Sequence, residues 1–143
     1  MPFEIRRAEI TDSEAIWALN TEAFGYTYPL DKTTMRLAQS LDRGDCVLVA
    51  CVEGVVRGYI HASEYTTIYD DPLINILALA IDKDARRQGL GKGLLITVEA
   101  WAQKLGCRGV RLVSGIDRTG AHAFYCHCGY AMRKDQKNFV KRF

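Results

Sequence analysis

The chain opens on an alternation of apolar and polar side chains, Phe3 to Ala8, that predicts a short strand. Ala15, Ile16, Leu19 and Ala23 then recur at helical spacing. Thr11, with Glu14 three residues on, predicts that helix's start through a capping box. Gly25-Tyr26-Thr27-Tyr28-Pro29 breaks it, and a second short helix is expected from Thr33 to Leu41, stopped near Gly44. Cys46 to Val52 is almost wholly apolar, Glu53-Gly54 turns the chain, and Val55 to Glu64 reads as the hairpin partner. Leu73 to Ile81 is apolar except for Asn75, which predicts a central strand covered on both faces. Leu94, Leu95, Val98, Trp101, Ala102 and Leu105 mark one face of a long helix that Gly106 is placed to end. A short strand, Val110 to Val113, precedes a helix over Thr119 to His127 with Ala121, Phe124, Tyr125 and Cys128 on one face. Tyr130 to Met132 and Asn138 to Arg142 are expected to pair as a last hairpin. There are no repeats, low-complexity tracts or linkers, so residues 1–143 are expected to form one mixed α+β domain.

Composition narrows the function classes. The 143 residues suit a single domain, and 48% hydrophobic with 25% charged residues is ordinary for a folded soluble chain. A net charge of +2 with interspersed acids excludes the basic stripe of a nucleic-acid binder. No signal-peptide pattern and no apolar run of about 18 residues is present, so neither secretion nor a membrane partner is expected. The five cysteines, Cys46, Cys51, Cys107, Cys126 and Cys128, suit reduced thiols in the cytoplasm. Cys126-His127-Cys128 lacks a second Cys/His pair at zinc spacing, so no metal is expected.

The candidate chemistry lies between the central strand and the long helix, in Asp82-Lys83-Asp84-Ala85-Arg86-Arg87-Gln88-Gly89-Leu90-Gly91-Lys92-Gly93. A helix N-terminus presents unpaired N–H groups and partial positive charge, which attract phosphate. Glycine lets backbone approach a ligand closely, and Arg86, Arg87 and Lys92 add full charges. The turn therefore predicts a phosphate or pyrophosphate site. It is no P-loop, because Arg86 and Gly93 stand where glycine and Ser or Thr are required. Nor is it a dinucleotide fingerprint, because Leu94 occupies the third glycine position.

Arg86-x-x-Gly89-x-Gly91, after an apolar strand and opening an amphipathic helix, resembles the coenzyme A signature of the GNAT superfamily of N-acetyltransferases. The element order also resembles that family from end to end. So does Ser114-Gly115-x-x-Arg118-x-x-Ala121-His122-x-Phe124-Tyr125-x-x-x-Gly129-Tyr130. The resemblance implies a central, mostly antiparallel mixed sheet, flanked by helices and splayed between its fourth and fifth strands. It implies transfer of acetyl from acetyl-CoA to a primary amine by direct attack. Backbone of Gln88, Gly89, Leu90, Gly91 and Lys92 would hold pyrophosphate, with Arg86 and Arg87 beside it. Leu79, Ala80 and Ile81 would pair with the pantetheine arm, and Arg118 would lie near the cofactor's outer half. Tyr125 matches the tyrosine that protonates the departing thiolate.

The base is less plainly written. Where some family members place a glutamate early in the central strand, this chain has Asn75, which accepts no proton. Glu64 is the first substitute, with His61, Asp70 and Asp71 behind it. The acceptor, a small-molecule or peptide amine, is expected beside Tyr26, Tyr28, Tyr65, Tyr69, Asp70 and Asp71, whose rings and charges suit a cation. A homodimer is held open. The rival class is a non-catalytic acyl-CoA-binding sensor or interaction module, which would keep the glycine loop but need no Tyr125.

Overall fold

A computed structural model describes residues 2–25 and 27–143. The chain falls into two compact units, Met1–Leu112 and Val113–Phe143. The first holds a five-stranded sheet in sequence order: β1 (Glu4–Arg7), β2 (Cys46–Val52), β3 (Val55–Tyr65), β4 (Leu73–Ile81) and β5 (Val110–Leu112). All neighbours are antiparallel except β4 and β5, which run parallel. Helices α1 (Ser13–Phe24) and α2 (Leu30–Asp42) bury Ile16, Leu19 and Leu37 against Val47, Val49, Cys51, Tyr59 and Ala80. Helix α3 (Leu90–Lys104) buries Leu90, Leu94, Leu95, Val98 and Ala102. These pack with the opposite set on the sheet, including Ile60, Ala62, Ile74 and Ile76. Each fully buried Leu or Ile contributes about 1.5–3 kcal/mol of burial. Gly93 lets α3 approach β1 closely, since a Cβ there would stand 3.0 Å from the Phe3 ring and 3.1 Å from Ile5.

The bounds of β2 and β4 match the apolar runs that predicted them. Helix entry differs. In place of a Thr11 cap, a 3₁₀ turn over Ile10–Asp12 precedes α1. The Asp12 side chain closes that turn, accepting from the Glu9 N–H at 2.7 Å while Arg6 grips both its oxygens at 2.8 and 2.9 Å. Helix α2 starts at Leu30, three residues before the predicted Thr33, because Pro29 supplies an extended lead-in and its carbonyl accepts from the Thr33 N–H and hydroxyl.

The second unit holds α4 (Thr119–His127), whose bounds are as predicted. The expected final hairpin does not form. Residues 131–143 are all exposed and contain no strand. Their polar middle, Arg133 to Asn138, offers no apolar face, and a lone hairpin is marginal in water.

Candidate functional site

Two features of β4 shape the site. First, its pairing with β5 covers only Ile74–Val110, Asn75–Arg111 and Ile76–Leu112, and then stops. Leu77 to Ile81 therefore leave β5 behind while Ala78 to Ile81 stay on β3, which is the splay expected at this place. Second, the register with β3 shifts between His61 and Ala62, so Leu77 has no opposite residue. This irregularity leaves Leu77 52% exposed in a strand expected to be covered on both faces.

Leu77 and Ala78 form one wall of a groove of about 430 Å³. Helix α1 supplies Trp17, Asn20, Thr21 and Phe24, a second stripe beside its core stripe. Tyr28 and Thr33 close one side and Tyr59 rises from β3. The groove is internally braced. The Tyr59 hydroxyl donates to Asn20 Oδ1 at 2.5 Å, and Trp17 Nε1–H donates to the Tyr28 carbonyl at 2.6 Å.

Of the residues expected around the acceptor, only Tyr28 lines this groove; Tyr26 lies outside the described residues. Tyr65 instead lies under the Arg111 guanidinium, 4.4 Å from the ring centre. Arg111 also donates to Asn75 Oδ1 at 2.7 Å, so the position that carries a glutamate in some family members is occupied structurally here. Tyr69 and Asp70 are exposed, and Asp71 pairs with Arg108 at 3.2 Å on the surface. Trp17, Asn20, Phe24 and Tyr59 went unassigned in the sequence. The 17, 20, 21, 24 spacing was the signal that could have found three of them.

Glu64 stands opposite Ile74 near the end of β3, exposed and on the α3 face. The structure does not bring it to the groove, which opens on the α1–α2 face. His61 does share that face, opposite Ala78, and its Nε2 lies 2.8 Å from Asp45 Oδ2. Asp45 is buried, and Arg43 grips it at 2.6 Å. Burial pushes its carboxyl upward, but the bonds from Arg43 and His61 outweigh that and hold it below the ordinary carboxylate range.

After Ile81 the chain is pinned by Asp82. Its N–H donates to the Arg57 carbonyl at 2.7 Å, its carboxylate pairs with Arg57 at 2.9 Å, and it caps Asp84 N–H at 3.0 Å. A 3₁₀ turn (Lys83–Ala85) follows, and the backbone then becomes left-handed at Arg87 (φ 65°) and Gly89 (φ 86°). Gly89 leads directly into α3, whose first intrahelical bond runs from Gly93 N–H to the Gly89 carbonyl at 2.9 Å. The N–H groups of Leu90, Gly91 and Lys92 precede that bond and have no acceptor one turn back. Arg86, Arg87 and Lys92 are exposed around this end. Gln88 Oε1 is a buried acceptor without a hydrogen-bond partner among the described residues. A helix end with free donors, local cations, left-handed glycine and an orphaned acceptor fits a ligand rich in both phosphate and polar donors.

In the second unit, Tyr125 is half-buried on α4 and packs edge-on against Phe124 and Tyr130, with centroids 5.3 and 6.1 Å away. Burial raises its phenol above the ordinary value, against the opposing pull of Arg118. Arg118 is exposed at the N-cap of α4, and His122 Nε2 lies 2.8 Å from the Gly115 carbonyl. Among the described residues, no cluster of three or more His, Cys, Asp or Glu side chains could hold a metal, and none of the five cysteines forms a disulfide. No described helix is long and apolar enough to cross a membrane.

This sheet, parted beside a glycine-bearing helix N-terminus, defines an acyltransferase fold. The sequence model of the Acetyltransferase (GNAT) family matches residues 13–130. The chain belongs to that family and is an acetyltransferase. It is 31% identical over 131 residues to an uncharacterized N-acetyltransferase of Methanocaldococcus jannaschii, covering 91% of this chain and 79% of that protein. It is 30% identical over 125 residues to human N-acetyltransferase 8, covering 81% of this chain but only 53% of the human protein. Among solved structures it is similar in fold to AAC(6')-Iy bound to the bisubstrate analogue CoA-S-monomethyl-acetylneamine, with a TM-score of 0.87, 20% identity and full coverage of both chains. It is similar likewise to the aminoglycoside 6'-N-acetyltransferase AAC(6')-Ih of Acinetobacter baumannii, with a TM-score of 0.86, 18% identity and 99% coverage of each.

Proposed function

We propose that this acetyltransferase uses acetyl-CoA and a primary amine, and that residues 1–143 work as one catalytic domain in the cytoplasm. The observation that carries the reading is the α3 N-terminus, built as an anion site in a chain that matches the family over residues 13–130. The N–H groups of Gln88 to Lys92, with Arg86 and Arg87, hold the pyrophosphate. The β5-free stretch Leu79, Ala80 and Ile81 offers backbone to the pantetheine arm, and Arg118 serves the cofactor's outer half. Acetyl-CoA supplies an activated thioester. Two solved neighbours, one with a bisubstrate analogue and one with CoA, support that donor.

The groove on the α1–α2 face receives the amine. Its nitrogen attacks the thioester carbonyl carbon, the C–N bond forms and the C–S bond breaks. An acceptor bound as its ammonium first sheds one proton to become a nucleophile; in the attack itself one proton leaves the nitrogen and one reaches the sulfur. His61 is better placed than Glu64 to take a proton from the nitrogen, since it lies on the groove's face beside Ala78. With Nε2–H donating to Asp45, Nδ1 carries the lone pair. Tyr125 provides the proton for the sulfur. An amine library offered with acetyl-CoA, read by release of free thiol, tests the reaction. His61→Asn and Glu64→Gln divide the base assignment, and loss of rate in Glu64→Gln alone would return it to Glu64.

A further inference from the structure

We infer that the acceptor is an amine bearing one positive charge on an apolar, preferably aromatic, body, and that polycationic amines are poor acceptors. The inference rests on the groove being the acceptor site.

Four rings, Trp17, Phe24, Tyr28 and Tyr59, line that groove, joined by the exposed Leu77. Its polar contributions are the neutral side chains of Asn20, Thr21 and Thr33. Among the described residues, no carboxylate lines it. The nearest acids by position are engaged otherwise. Glu22, next to Thr21, accepts from the Lys83 N–H at 3.2 Å. Asp45 is held between Arg43 and His61. Aromatic faces attract one ammonium and receive an apolar body. A second or third ammonium would lose water on entering and meet no counter-charge, which is costly. The lining thus departs from what a multiply charged amino sugar would need, although aminoglycoside acetyltransferases share the fold.

The test compares kcat/KM for three amines with acetyl-CoA in saturation: 2-phenylethylamine, hexylamine and 1,6-diaminohexane. Hexylamine and the diamine differ by one charge at equal chain length, while phenylethylamine adds the ring. The expected order is phenylethylamine, then hexylamine, with the diamine lower by about tenfold or more, the scale of discrimination when a polar group goes unpaired. Phe24→Leu keeps apolar bulk and removes one ring, and should erase part of the preference for phenylethylamine over hexylamine. Equal or better turnover of the diamine would overturn the charge inference while leaving acetyl transfer to amines intact. No thiol release with any of the three, or with a wider amine library, would overturn the functional reading and this inference together. Should Phe24→Leu fail to fold, the wild-type order alone decides.

Discussion

The Tyr59 hydroxyl donates to Asn20 Oδ1 across the floor of the groove, tying the third strand to the first helix. Tyr59 is 5% exposed, so its ring is core while its oxygen reaches the groove lining. One side chain therefore serves both packing and the shape of the site. Tyr59→Phe keeps the ring and deletes the tether. It should cost about 0.5–1.5 kcal/mol, a typical net hydrogen bond. The amine KM should rise while acetyl-CoA affinity holds, because Asn20 loses its orientation but the glycine turn is untouched. An unchanged amine KM in the folded variant would move the acceptor elsewhere.

The glycines of the turn separate by role. Gly89 has φ 86°, where an L side chain is strained, so Gly89→Ala should destabilise by about 1–2 kcal/mol as well as weaken cofactor binding. Gly91 is the second residue of α3, among the free N–H groups where the proposed pyrophosphate would approach its bare Cα. Gly91→Val should leave the melting transition nearly in place and weaken acetyl-CoA by about tenfold or more, the effect of losing one or two good contacts. Calorimetry on both variants checks the split, and full affinity in a folded Gly91→Val protein would displace the pyrophosphate from this turn.

Elements with a nearly continuous apolar run were readable along the chain, since Cys46–Val52 and Leu73–Ile81 appear with their predicted ends. The glycine turn was readable for the same reason: its chemistry is local. What escaped depends on distant partners. Asp12, held by Arg6, closes the 3₁₀ turn that leads into the first helix, an arrangement no capping box on Thr11 could reveal. The groove needs a register shift at His61/Ala62 to expose Leu77, and a bulge leaves no mark in an apolar run. Arg111 takes Tyr65 out of the expected acceptor cluster and engages Asn75, at the position of the family's glutamate, from 46 and 36 residues away in sequence.

Two buried carboxylates should make the fold acid-labile. The Arg6 hydrogen bond lowers the Asp12 carboxyl, against the upward push of burial. Asp45 is lowered by Arg43 and His61 despite its own burial. A carboxyl with a folded pKa below its unfolded value gives stability that is fully present above about pH 4. That stability is lost as pH falls through the folded value, where the native state must also take up the proton. Melting temperature should therefore be flat from pH 7 toward 5 and drop below about 4. Asp12→Asn should lower stability at pH 7 by about 1–3 kcal/mol and flatten the acid limb. An acid limb equally steep in Asp12→Asn and Asp45→Asn would assign the lability to other groups.

The proposed acid step falls to Tyr125, and its surroundings within its own unit suit that task. Desolvation raises the phenol above about 10, the ordinary value, and Arg118 offsets only part of this. The hydroxyl therefore stays protonated across the working range, and the alkaline limb of the rate should not fall until pH passes the phenol's raised value. The ring's edge contacts with Phe124 and Tyr130 would survive replacement by phenylalanine. Tyr125→Phe thus removes the proton donor while keeping the packing. General-acid catalysis contributes about 10²–10⁴-fold, so the single-turnover rate should fall at least tenfold with acetyl-CoA affinity nearly constant. Single turnover is the proper readout, because slow product release would hide a loss in kcat. The loss should be smallest for acyl donors whose thiol has a low pKa, since such a leaving group needs the proton least. A full rate in Tyr125→Phe, or a loss independent of the leaving thiol, would make this ring a packing residue and leave protonation of the sulfur to solvent.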